Sequence, residues 1–485
     1  MYSSQLSRRK FLAGMSATLA LGACGGGGGS GGTAVPNTAQ PGTAMPRGLH
    51  VSIVEDSHSS RTLTWFTDGI EPLDAWLEFD AVDANADSSA LSSTQFEHRV
   101  TASADPTPGV ESFTHRATAS DIDPDKAFRY RVGSDVGGWS DIYVVEPSPT
   151  EDWSFIHFGD HGIGELAQKV TAEVLKTPSD LVMLAGDLSY ANGDQPIWDV
   201  WFDQMQPLMA NRVTMAAPGN HEQKDFGGDT FKNRFTHPPK PLTSIISPGN
   251  PGSSFYSFDY NRVHFLVTTA GALIDDGTLA EEILNIEADL SLAAARRAAG
   301  EIDFIIVMQH FTIWTDQLGR SPANPSLVAL EENIIVRYGV DLLVVGHDHI
   351  YQRSVPMAFG LPNPLGYTQM LVGTGGASVR LMDEDGTQIW SAANFVGIGF
   401  ARYAVSRGKI AVEYFGAEPR GLADEERQIV DGPFELRDAF EITAKDSIAC
   451  NACALPPRGP QELLKDFEAI SRHTRERNRH ALEHC

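Results

Sequence analysis

Five apolar runs of strand length each end on a short segment rich in oxygen and nitrogen donors. This recurrence limits the fold more than any other feature of the chain. SFIHF (154–158) leads into GDHG (159–162), DLVMLA (180–185) into GDLSY (186–190), and VTMAAP (213–218) into GNHE (219–222). Further along, DFIIVMQ (303–309) ends at His310, and DLLVV (341–345) leads into GHDH (346–349). Runs this apolar belong to strands covered on both faces. Polar segments at their ends gather at one edge of the sheet, where folds of this kind build their sites. Those gathered would be Asp160, Asp187, Tyr190, Asn220, His310, His347 and His349. So many hard or borderline donors exceed what one ion takes and suit two. The expectation is a metal-dependent hydrolase.

The rest of the chain supplies the frame. With 485 residues there is room for two or three domains, each with its own core. Residues 33–47 are rich in Pro, Thr and Ala and read as linker. From 48 to 147, short alternating segments (LHVSIV, RTLTWFT, DAWLEFD, SFTHRATA, AFRYRVG, DIYVVEP) are separated by turn signals at the spacing of a β-sandwich. Asp123-Pro124 followed by FRYRV (128–132) resembles the late strand of a fibronectin type III domain. From about 150 to 445 the rhythm becomes strand, helix, strand. Helical periodicity marks 166–177, 196–209, 279–299 and 327–339. That alternation predicts a layered α/β domain.

Charge bounds the partners. A net charge of −26 argues against nucleic acid, because an acidic surface repels a polyphosphate chain. A small phosphate ester is not excluded, since it meets the field of bound cations first.

The ends of the chain read as an address and a tail. SRRKFL (7–12) precedes an apolar run to Ala23, too short to span a bilayer, with no acidic residue before Glu55. The paired arginines resemble a twin-arginine export signal, which carries folded proteins and so suits an enzyme that loads its metals first. LGAC (21–24) resembles a bacterial lipobox, making Cys24 the lipidated residue after removal of 1–23. A plain secretory signal cut nearby is the alternative. The glycine tract that follows opens a flexible 24–47 tether. The expected location is outside the cytoplasm, periplasmic or at the cell surface, with membrane contact only through Cys24. At the other end, 446–485 holds Cys450, Cys453 and Cys485 and a charged terminal helix. One disulfide with a spare thiol is the first reading. A zinc site using Cys450, Cys453 and a donor such as His480, His484 or Cys485 is the alternative. No sequence feature sets an oligomeric state.

The five motifs, in this order and spacing, resemble those of the purple acid phosphatases within the calcineurin-like metallophosphoesterases, over roughly 48–443. The resemblance implies a fibronectin type III-like sandwich followed by a layered αββα catalytic domain. General members of the superfamily use Asp-x-His in the first motif, whereas Asp160 is followed here by His161 and Gly162. Purple acid phosphatases replace that imidazole with a tyrosine three residues after the second aspartate, where Tyr190 stands. A phenolate is a hard donor that favours trivalent iron. The alternative for Tyr190 is packing. The resemblance therefore implies Fe(III) on Asp160, Asp187, Tyr190 and His349, and Zn, Mn or Fe as a divalent ion on Asp187, Asn220, His310 and His347. Asp187 would bridge, keeping the ions about 3.5–4 Å apart. Tyr351 and Arg353 would steady the ligands from behind.

The activity implied is hydrolysis of phosphate monoesters with broad specificity, by in-line attack of a metal-bound hydroxide. His221 is the candidate for contacting phosphate or protonating the leaving group, with a structural histidine as the alternative. Relatives usually place further histidines after the fourth motif, yet 311–346 contains none. Arg320 and Asp316 are the charged candidates nearby, Arg320 for a phosphate oxygen. Two other functions remain open: a phosphodiesterase or nucleotidase on the same metals, and a non-catalytic surface binding lipoprotein.

Overall fold

The computed structural model describes residues 44–445 apart from 84, 85, 87, 240–253, 274–277, 331–333, 384–387 and 420–431. The expected leader (1–23), Cys24, most of the linker and the whole tail with Cys450, Cys453 and Cys485 lie outside the described residues.

Two sheets form the N-terminal sandwich. One holds Arg47–Ser52, Arg61–Asp68, Ser112–Ala119 and Ser103–Pro106; the other holds His98–Thr101, Trp76–Val82, Ala127–Ser134 and Gly138–Trp139, with Tyr143–Val145 also on Ala127–Ser134. Alternating residues such as Leu63, Trp65, Leu77, Tyr130 and Val132 are buried between them. The first of these sheets does not stop at the domain edge. Arg47–Ser52 pairs in parallel with Val213–Ala217 through Val51 and Val213, so the sandwich is hydrogen-bonded into the catalytic sheet.

Beyond residue 150 two mixed sheets pack face to face. The first contributes Trp153–Phe158, Leu181–Ala185 and Val213–Ala217 in parallel, flanked by Ile398–Ser406, Lys409–Ala417 and Glu435–Thr443. In the second, Val263–Val267, Phe304–Met308, Leu342–Val345 and Thr368–Val372 run parallel, with Tyr256–Tyr260, Tyr351–Ser354 and Ser391–Phe395 completing it. The period of two is plain in Phe304–Met308. Phe304, Ile306 and Met308 join the core between the sheets, while Ile305 and Val307 face a second core under the helix Thr278–Ala298. Rings meet across the sheet interface, Phe155 against Phe265 at 5.6 Å and Trp153 against Tyr260 at 4.7 Å.

The helices Glu165–Lys176 and Gln195–Met209 belong to the first sheet's side. Glu165–Lys176 buries Ala167, Val170, Thr171 and Val174, one face at helical spacing, with Glu165 in its first turn and Lys176 in its last, matching the dipole. The result is the helix–sheet–sheet–helix layering the sequence implied. Over 327–339 the structure describes the helix Pro325–Leu330, then helical Ile334 and Ile335, and a turn at 336–339 closed by Gly339 at φ 67°. Glycine ends it by taking a left-handed conformation that side chains disfavour.

Candidate metal centre

All five motif segments leave the ends of their strands and meet between the two sheets. The parallel ladders continue past the strands: Asp160 N–H donates to Gly186 O (3.0 Å), His161 N–H to Asp187 O (3.1 Å) and Gly346 N–H to His310 O (3.1 Å). Asp160, Asp187, Tyr190 and His347 all have positive φ, between 51° and 76°. Left-handed backbone at non-glycine residues is costly, and its concentration here marks a site over-determined by its surroundings.

The candidate donors fall into two neighbouring groups. In one, the Tyr190 hydroxyl lies 3.2 Å from Asp160 Oδ1 and 3.0 Å from His349 Nε2, and that nitrogen lies 3.2 Å from the same Asp160 oxygen. In the other, His310 Nε2 lies 3.2 Å from each of Asp187 Oδ2, Asn220 Oδ1 and His347 Nδ1. Asp187, His310 and His347 present ligand atoms within 4.8 Å of one another, all buried. Asp160 joins the groups, since its Oδ2 accepts the His347 backbone N–H at 2.7 Å.

The surrounding bonds aim these atoms inward. His310 Nδ1 lies 2.7 Å from Ala185 O, so that nitrogen donates to the carbonyl and Nε2 is the atom turned toward the other donors. His349 Nδ1 meets Ser378 Oγ at 2.6 Å. Glu222 accepts N–H bonds from Asp187 (2.9 Å), Leu188 (2.9 Å) and Gly219 (2.6 Å), tying the second and third motifs together. His221 Nδ1 sits 2.6 Å from Asn192 Oδ1, leaving Nε2 3.8 Å from Asp187 Oδ2.

Electrostatics favour cations. Burial opposes the charge on Asp187, but His310 and His221 hold its carboxyl well below the usual range. Burial alone would lower His310; Asp187 outweighs it and pushes the imidazole up to about 9. Burial, then Asp160 and Asp187, drive the Tyr190 phenol well above its ordinary value. A phenol between two carboxylates ionises only when a cation offsets their charge. Oxygen-rich donors with one phenol, one amide and three inward imidazoles therefore fit a pair of metal ions.

A calcineurin-like phosphoesterase profile matches residues 154–351, and a purple acid phosphatase N-terminal domain profile matches 46–146. The chain thus carries a calcineurin-like phosphoesterase domain over 154–351, preceded by a purple acid phosphatase-type N-terminal domain over 46–146. Among the relatives, purple acid phosphatase 22 of Arabidopsis thaliana is 25% identical over 54% of this chain and 58% of its own. Purple acid phosphatase 18 of the same plant is 24% identical over 70% of this chain and 72% of its own. The purple acid phosphatase PPD1 from yellow lupin (Lupinus luteus) seeds superposes with a TM-score of 0.65, at 20% identity, covering 86% of this chain and 78% of that one. The chain thus spans little more than half the length of the first of these relatives.

Several residues have other partners than the sequence implied. Tyr351 and Arg353 turn to Asp438, at 2.7 Å and 2.6 Å, rather than to a candidate ligand. Both lie on Tyr351–Ser354, and Asp438 on Glu435–Thr443 answers them from the other sheet. Arg320, the candidate for a phosphate oxygen, is engaged by a carboxylate. Its Nε pairs with Asp348 Oδ1 at 3.1 Å. Asp316 is buried on Gln352 Nε2 at 2.6 Å. His161 faces away from the site, accepting from Trp201 at 3.1 Å and reaching Thr171 at 2.8 Å, and burial lowers it to about 4. Glu222, Asn192 and Ser378 were missed as supports. Glu222 was visible as the last letter of GNHE; Asn192 and Ser378 carry no signal in a single sequence.

Proposed function

We propose that the chain is an exported phosphatase with a two-metal site that hydrolyses phosphate monoesters. Asp160, Asp187, Tyr190 and His349 would hold Fe(III); Asp187, Asn220, His310 and His347 would hold Zn, Mn or Fe as the divalent ion. The observation that carries this reading is the Tyr190 hydroxyl within 3.2 Å of both Asp160 and His349, beside a second group of donors around Asp187. When bound, the two cations neutralise phosphoryl oxygens and activate water.

The chain's own residues supply the remainder. Asn192 turns His221 so that Nε2 faces the Asp187 side of the site. There it contacts a phosphoryl oxygen or passes a proton to the leaving oxygen. Burial lowers His221, against the pull of Asp187, so a proton held on this ring leaves readily. The amide of Asn220, held beside Asp187 and His310, adds a neutral donor and spares the site another negative charge.

A second reading is a phosphodiesterase or nucleotidase. Its phosphodiesterase form is favoured by Arg320, whose charge is answered by Asp348, because a dianionic monoester, a nucleotide included, calls for more positive charge than a diester does. A surface binding lipoprotein without catalysis is the reading of another class. Metal analysis and a visible spectrum of the purified chain, with kcat/KM for nitrophenyl phosphate and its diester, separate all of these. One iron, one divalent ion, a tyrosinate-to-iron band and monoester preference support the proposal; a large diester preference favours the second reading. Full metal content with no turnover of any ester favours the third. Release of a Cys24→Ala variant from the membrane fraction would support lipidation.

A further inference from the structure

The segment 373–380 (GTGGASVR), which follows Thr368–Val372 and lies beyond the matched phosphoesterase region, touches the candidate iron ligands repeatedly. Gly375 N–H donates to Gly159 O (2.9 Å), and Ala377 N–H donates to Asp160 O (2.9 Å). Arg380 N–H donates to His349 O (3.2 Å), and Ser378 Oγ meets His349 Nδ1 at 2.6 Å. Its glycines are needed at that range. A side chain on Gly373 would strike Asp348 O and come within 3.0 Å of Asp160 Oδ2; one on Gly375 would strike Gly159 O. Thr374 anchors the segment to the other sheet, donating to Gly399 O and accepting from Tyr414, each at 3.1 Å. Asp187 and His310 are held by different elements, through Glu222, the His221 N–H and Ala185 O.

We propose that this segment is a clasp for one metal position of the two, and that Ser378 is its positioning residue, acting through His349. The inference rests on the two-metal reading above. For His349 to turn a lone pair on Nε2 toward Tyr190 and Asp160, its proton must sit on Nδ1, and Ser378 Oγ is the acceptor there. Ser378 acts on His349, which stands in the Tyr190 group alone, so removing its hydroxyl disturbs that position selectively. A support of the fold in general would affect both positions alike.

The test measures metal content and the visible spectrum of the full chain, purified without added metal, as wild type, Ser378→Ala and Ser378→Thr. Wild type is expected to hold two ions. Ser378→Ala is expected to fall toward one, with the tyrosinate-to-iron band weakened tenfold or more. Ser378→Thr, which keeps the hydroxyl, restores both. The inference is overturned if Ser378→Ala keeps two ions and an unchanged band, or loses both ions together. Should Ser378→Ala not fold, Ser378→Cys takes its place. A weakened band with one ion kept supports the clasp, and an unchanged band overturns it. Wild type without metal would instead sink the two-metal reading itself, whatever Ser378 does.

Discussion

The Nδ1 of His310 lies 2.7 Å from the carbonyl oxygen of Ala185; Ala185 ends a strand of one sheet, and His310 follows the strand Phe304–Met308 of the other. One bond thus sets the imidazole's tautomer and locks the gap in which the donors meet. Gly186, next in the chain, leaves room for it. Its φ is 81°, and a Cβ there would sit 2.7 Å from His310 Nδ1 and 2.8 Å from Gly219 N.

Gly186→Ala is therefore expected to cost at least about 2 kcal/mol, from left-handed strain together with the clash. Displacing His310 should also weaken metal retention by tenfold or more. Urea unfolding and residual metal after dialysis against a chelator measure the two effects. A variant as stable and as metal-rich as wild type would show that the ring is not held this way.

Glu222 carries three backbone donors that define where Asp187 sits. Burial and the neighbouring charge of Asp187 push its carboxyl up to about 8, while those N–H groups pull it down. In Glu222→Gln one oxygen becomes an amide that faces N–H groups and cannot accept from them. Leaving buried donors unmet should cost about 2 kcal/mol. Turnover should fall tenfold or more as Asp187 shifts, read from kcat at saturating ester. Unchanged kcat would mean that the Asp187 loop is set elsewhere.

The convergence of the seven candidate donors was legible because each stands within five residues of the end of an apolar run, where strand direction decides the meeting place. The layering was legible for the same reason: runs such as FIIVM are buried on both faces and need a layer on each side. Supports were not legible. Ser378 follows His349 by 29 residues and Asp438 follows Tyr351 by 87, and nothing local to either announces a partner so distant. Arg320 failed for a related reason, because one sequence does not reveal that Asp348 answers its charge.

Asp438 accepts from Tyr351 and from Arg353, and Arg353 lies over the Phe440 ring at 4.2 Å. These bonds join Glu435–Thr443 to Tyr351–Ser354 without touching a candidate ligand. Asp438→Asn should lower stability by about 2 kcal/mol, the scale of charge-assisted hydrogen bonds, with metal content unchanged. Urea unfolding beside metal analysis of the same preparation decides it. Loss of metal from a folded Asp438→Asn protein would return Tyr351 and Arg353 to a role in ligand orientation.

Far from the metal centre, His264 is buried between Asp259 Oδ1 and Asp289 Oδ2, each at 2.8 Å. Arg296 also reaches Asp259, at 2.7 Å, and Ser257 donates to Asp289 at 2.6 Å. Burial would lower this imidazole, yet the two carboxylates outweigh it and push it up to about 9. The folded-state value is raised above the unfolded one, so folding favours the protonated ring. Its contribution is fully present below about pH 6.5 and is lost as pH rises through about 9. The loss is on the order of 2–3 kcal/mol, the carboxylate of Asp259 being partly solvated. His264→Gln should be less stable than wild type at pH 6, with the difference shrinking toward pH 9.5. Unfolding free energies of both proteins across that range test it, and parallel pH curves would mean that folding does not shift the titration of His264.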